Sequence, residues 1–151
     1  MNASSPAKEW DGFLLRFSPE IVELVKACVA RMRKRLPGAT ELVYDNYNAL
    51  VIGFGATERA SDAIFSLAIY PRWVNLFFLQ GATLDDPKKL LQGSGSVVRR
   101  IRLSDPTLID DPGVRDLMDR AMSQAPKPID PKASRRMVIR SISARQRPRR
   151  P

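Results

Sequence analysis

Histidine is missing from all 151 residues of this chain. Without imidazole there is no Ser–His or Cys–His nucleophile pair, no His-ligated zinc and no imidazole acid–base step near neutral pH. Cysteine occurs once, as Cys28, so no internal disulfide can form. The opening Met-Asn-Ala-Ser-Ser-Pro-Ala-Lys carries no hydrophobic block of the kind a secretory leader needs. Together these features give the expectation of a reducing, cytoplasmic setting. No stretch approaches the roughly 18 unbroken apolar residues of a membrane span, so no membrane partner is expected. Neither a Walker nor a dinucleotide glycine pattern is present, and no pair of acids sits in a recognisable catalytic motif. The chain reads as a non-enzyme without a cofactor.

Acidic residues are scarce in one place. Residues 1–125 hold 16 basic and 15 acidic side chains, whereas residues 126–151 hold nine basic and only Asp130 as an acid. The formal charge of +9 therefore belongs to a segment rather than to the body. This divides the chain into residues 1–8, small and polar and expected to be disordered, a domain over 9–125, and a basic tail over 126–151.

What is present in the body is one amphipathic helix followed by strands. Trp10, Phe13, Leu14 and Phe17 form a short apolar cluster suited to a helical turn. Ser18 and Pro19 then start a helix that runs to Leu36, with Ile21, Val25, Cys28, Met32 and Leu36 on one buried stripe. Pro37-Gly38 stops it, and Arg31, Arg33, Lys34 and Arg35 crowd its last turns, where the helix dipole favours cations. Residues 41–44, 49–54 and 63–70 read as strands, and 73–81, with bulk on both faces, as a central one around which the others are arranged. Leu84 to Leu91 resembles one helical turn. Residues 97–103 form a last strand, whose Arg99 faces the core side and so suggests an edge position or a bulge. A closing helix spans about Gly113 to Gln124. Short connections demand antiparallel pairing. The expected fold is α+β: a two-layer sandwich with an antiparallel sheet of about five strands and N- and C-terminal helices packed on it.

The order of a helix, Pro-Gly, Glu41-Leu-Val-Tyr44, Trp73-Val-Asn-Leu-Phe-Phe78 and Leu91-Gln-Gly-Ser-Gly-Ser96 before Val-Arg-Arg-Ile-Arg-Leu103 resembles the YdhG-like family. These are small cytoplasmic domains of mostly unknown function, one of them regarded as a frataxin-like iron chaperone. The resemblance covers about Trp10 to Met122. It implies the same α+β fold and, as one alternative, iron binding. A frataxin-like iron surface would present carboxylates on the first helix and strand. Here that helix turns basic after Glu20 and Glu23, which works against ferrous ion. A second acidic set, Asp105, Asp110, Asp111, Asp116 and Asp119, is the fallback metal site. Acids are ordinary at helix starts, so caps and dipole partners are the preferred explanation of the set.

The favoured reading is a binding domain for a small ligand, metal ion or protein partner. Its candidate residues come from three places: the loop of Asp45, Asn46 and Tyr47; Tyr70, Arg72 and Trp73 at the entry to the 73–81 strand; and Lys88, Lys89, Gly93 and Gly95 with Arg100 and Arg102 of the strand that follows. Gly93 and Gly95 could turn successive N–H groups toward an anion, or simply form a turn into an edge strand. The simpler reading of the Asp-Asn-Tyr-Asn loop is a hairpin turn.

The alternative function lies in the tail. A stiff Pro126–Pro131 linker leads to Met137-Val-Ile-Arg-Ser-Ile142, which is too apolar for a purely disordered segment. If the tail docks, Met137, Val138, Ile139 and Ile142 must carry it, most simply along an open sheet edge. Charge attraction alone is not expected to hold it, because the body is near neutral. Beyond Ile142 the chain is expected to be mobile, leaving Arg145, Arg147, Arg149 and Arg150 for nucleic acid or another polyanion.

Overall fold

A computed structural model describes residues 5–151. Much of the segment expected to be disordered, residues 1–4, lies outside the described residues. Its remainder is helical: Ser5 caps Lys8, and α1 runs Pro6–Leu14. The Trp10 cluster is therefore a full helix rather than a turn. Trp10 and Leu14 are its buried face.

Helix α2 (Pro19–Arg35) follows the predicted stripe closely. Ile21, Val25, Cys28, Val29 and Met32 are buried. Gly38 ends the turn after it with φ +84°, a conformation that favours glycine, and the Asp130 carbonyl lies where a side chain would begin. The strands are β1 (Thr40–Asp45), β2 (Leu50–Gly55), β3 (Ala63–Ile69), β4 (Val74–Phe78), β5 (Arg99–Arg102) and β6 (Arg136–Ile142). Helix α3 (Pro112–Gln124) is capped by Asp111, whose carboxylate accepts from the N–H groups of Gly113 and Val114.

The fold is α+β, and two sequence expectations are corrected. The sheet has six strands, ordered β5-β4-β3-β2-β1-β6, and it is mixed. Strands β1 to β5 pair antiparallel; the short connections among β1 to β4 require it, whereas the longer connection over residues 79–98 does not. Strand β6 pairs parallel with β1, from Thr40–Arg136 to Asp45–Ile142, with a shift after Val43. That argument from short connections never applied to β6, which arrives from α3 by a long linker. The second correction concerns β4. It is penultimate, between β3 and the edge strand β5, and only Val74, Leu76 and Phe78 bury fully against the helices. Trp73, Phe77 and Leu79 face the other way and are exposed or half-buried. Residues 84–91 form turns instead of a helix. Asp86 satisfies the N–H groups of Leu90 and Leu91 there.

The register puts Val43, Ile52, Leu67, Leu76 and Ile101 in one row on the helix side. With Phe54, Phe65, Ile69 and Phe78 they join Val25, Met32, Leu117 and Met118 in a single core. Each removes most of its apolar surface from water, worth about 1.5–3 kcal/mol per large side chain.

Candidate binding surface

The tail, expected to be free past Ile142, is tied to the body along its length. On β1, Glu41 and Asp45 flank Val43 on the inward face, and both are buried. Arg33 at the end of α2 grips Glu41 through two bonds of 2.9 Å, and Arg135 adds a third contact at 3.4 Å. At the other end of β6, Arg149 reaches Asp45 Oδ1 at 2.8 Å and the Asn46 carbonyl at 2.6 Å. Its guanidinium lies 5.6 Å from the Phe17 ring centre. Asp45 Oδ2 accepts no hydrogen bond and faces Arg16 at 3.6 Å.

Arg150 donates to the Leu15 and Arg16 carbonyls. Arg147 donates its N–H to the Tyr47 carbonyl and covers the Tyr47 ring. Arg136 pairs with Glu58. The expectation that charge could not hold the tail is therefore corrected: a body of net +1 still offers buried acids at the right places. Met137, Val138 and Ile139 are half-buried along β1, whereas Ile142 is 54 % exposed and contributes little.

This placement separates the loops that the sequence grouped. Asp45, Asn46 and Tyr47 receive Arg149. Lys89, with φ 53°, and Gly93, with φ +124°, belong to the connection that folds Gln92 back onto Arg100 through two backbone hydrogen bonds. The Gly95 carbonyl accepts from Arg99 instead of turning an N–H toward an anion. These glycines lie at the opposite end of the sheet from Arg72 and Trp73, as the pairing of β4 with β5 shows. The five acids of the fallback metal set are also spent separately. Asp105 binds the Thr107 hydroxyl and N–H, which lower its carboxyl below the ordinary range. Asp110 pairs with Arg31 and Arg35, Asp111 caps α3, and Asp116 and Asp119 are exposed. Among the described residues, no three His, Cys, Asp or Glu side chains converge as metal ligands would.

Cys28 lies wholly within the core, and burial pushes its thiol from 9.0 up to about 12. The folded thiol thus keeps its proton where the unfolded one loses it. The stability it supports is complete below about pH 9 and declines as pH rises toward 12. Alkylation of Cys28 by iodoacetamide at pH 8 should track global unfolding. Fast labelling of the native protein would show the thiol to be accessible.

The surface that Trp73 and Arg100 do share is the sheet face away from the helices. Two register rows cross it. One runs Arg102, Asn75, Ala68, Val51, Tyr44; the other runs Arg100, Phe77, Ser66, Gly53, Leu42, Val138. Leu42 and Ala68 are buried here without belonging to the core under the helices. No strand residue in these rows is acidic. At one end Arg102 lies 4.7 Å over the Trp73 ring, and Trp73 packs on Tyr70 with centroids 5.6 Å apart. Beside them Asn75 is 6 % exposed, and its side-chain oxygen has no hydrogen-bond donor.

Asn75 and Phe77 were not among the candidate residues from the sequence. Strand alternation carries the signal that could have found them, since 73, 75 and 77 face opposite to 74, 76 and 78. Three cavities, of about 310, 260 and 20 Å³, are lined by other residues. The largest lies between residues 61–64 and the end of α3. Comparison with protein-family models, curated proteins and solved structures gives no match to this chain.

Proposed function

We propose that the chain is a non-enzymatic binding domain, of the kind its resemblance to the YdhG-like family implies. On this reading it takes an anionic ligand with a flat, hydrogen-bond-donating part on its open sheet face. The observation that carries this is Asn75. A buried amide oxygen without a donor costs about 1–3 kcal/mol. A ligand N–H or O–H removes that cost. The neighbouring groups define the rest of the ligand: the Trp73 ring takes a planar group, and Arg100 and Arg102 take negative charge.

The tail supports the second reading, polyanion binding, less well. Arg149 is enclosed by Asp45, and Arg147 and Arg150 are engaged by the body. Titration of the full chain with adenosine 5′-monophosphate and with 4-hydroxybenzoate, followed by amide shifts, tests the preferred reading. Shifts should centre on Trp73 to Phe77 and Arg100 to Arg102, and Asn75→Ala should weaken them several-fold. Shifts confined to the cavity at residues 61–64, or none at millimolar ligand, would refute it.

A further inference from the structure

We propose that this open face is a platform for single-stranded nucleic acid, an inference that rests on the reading above and names its ligand class. Three independent features point there. The first is charge. Arg100 and Arg102 stand two residues apart on the edge strand and point outward, about 6.8 Å along the chain. Successive phosphates of an extended strand can match that separation. Their rows contain no acid to repel a polyanion.

The second is stacking. Arg102, Trp73 and Tyr70 already form a cation–aromatic ladder at the end of the sheet, and Phe77 continues the aromatic surface along β4. Trp73 is 37 % exposed, so a base can extend this stack. Stacking on aromatic rings tolerates any base, because every base has a π face. The donorless oxygen of Asn75 lies beside the ladder, where it accepts from a base N–H.

The third is shape. Small ligands are usually enclosed in concave sites, but the three cavities described above are lined by other residues. The face itself crosses six strands, roughly 24 Å at about 4.8 Å per strand. A sheet face several strands wide, with two arginines along one edge, fits a ribbon of nucleotides better than a single small molecule. The tail does not compete for this role, because its Arg135 and Arg149 neutralise Glu41 and Asp45 on the other side of the sheet.

The test uses the full chain and a fluorescein-labelled 12-residue oligothymidylate, read by anisotropy at several salt concentrations and by amide shifts. Binding should fall with salt with a log–log slope of about −1.4, as two phosphate contacts to a single strand predict. Arg100→Ala with Arg102→Ala should weaken it about tenfold or more and flatten the slope. Trp73→Ala should weaken it by about tenfold, the scale of one lost stacking contact. Both variants change exposed side chains, and unchanged circular dichroism would confirm that they fold.

Oligonucleotide binding that maps to Arg145–Arg150 and survives these substitutions would overturn the proposal. So would an oligonucleotide that binds no more tightly than adenosine 5′-monophosphate. In that last case shifts on the face with the mononucleotide would leave the binding-domain reading intact. Absence of both would remove the two together.

Discussion

Arg149→Ala should destabilise the protein by about 3–5 kcal/mol, the cost of leaving a buried charge without its partner. Asp45 has 2 % of its side chain exposed, as does Arg149, and nothing replaces the 2.8 Å contact. Arg16, at 3.6 Å and half in water, compensates only in part. The same substitution removes the donor to the Asn46 carbonyl and the cation over Phe17. Arg145→Ala, nearby and exposed, should change stability by less than about 0.5 kcal/mol. Urea denaturation of both variants makes the comparison. A loss under about 1 kcal/mol for Arg149→Ala would mean that the segment after Ile142 is not held as described. Hydrogen exchange gives a second readout. The Ser143 and Arg147 amides, bonded to the Asp45 and Tyr47 carbonyls, should be protected together with β6 in the wild type and released together in the variant.

Phe78→Ala should cost about 3–5 kcal/mol, since its ring is wholly buried in the core. Phe65 meets it edge to face, with centroids 5.3 Å apart at 86°. A double-mutant cycle between the two should give a coupling of about 0.5–1.5 kcal/mol. Phe77, the next residue, supplies the control. It points to the open face and is half-buried, so Phe77→Ala should cost about 1 kcal/mol. Equal losses at 77 and 78 would contradict the facing of β4, and with it the assignment of an open sheet face.

Helix α2 and the antiparallel strands were legible because their determinants are local. A stripe at three- and four-residue spacing, a Ser-Pro start and a Pro-Gly stop specify a helix whatever surrounds it. Arg99 on the core-facing side of β5 suggested an edge or a bulge, and the sheet order shows the edge, where water is near. Central placement of residues 73–81 was misjudged from their bulk. Trp73 and Phe77 look like core residues by type, and only the sheet order reveals that no helix covers them.

The candidate site divides in the same way. Trp73 and Arg100 were identified on separate segments, but their sharing of one face depends on the pairing of Phe77 with Arg100. Asn75 looked unremarkable until its burial without a donor was known. The glycines at 93 and 95 suited an anion nest by composition alone. The return of Gln92 onto Arg100 uses that loop to extend the sheet instead.

The tail shows the boundary best. Its apolar run of Met137 to Ile139 pointed to docking, on the body or on a partner, since such residues are costly to leave in water. Its direction and its grip could not be read in advance. A parallel strand joined by a long linker leaves no trace in local spacing. Net charge gave the wrong answer about attraction because it averages over position. Two inward acids on β1, at 41 and 45, were in view from the start. That they face Arg135 and Arg149 across some hundred residues is a property of the folded chain, where low local polarity makes each pair count.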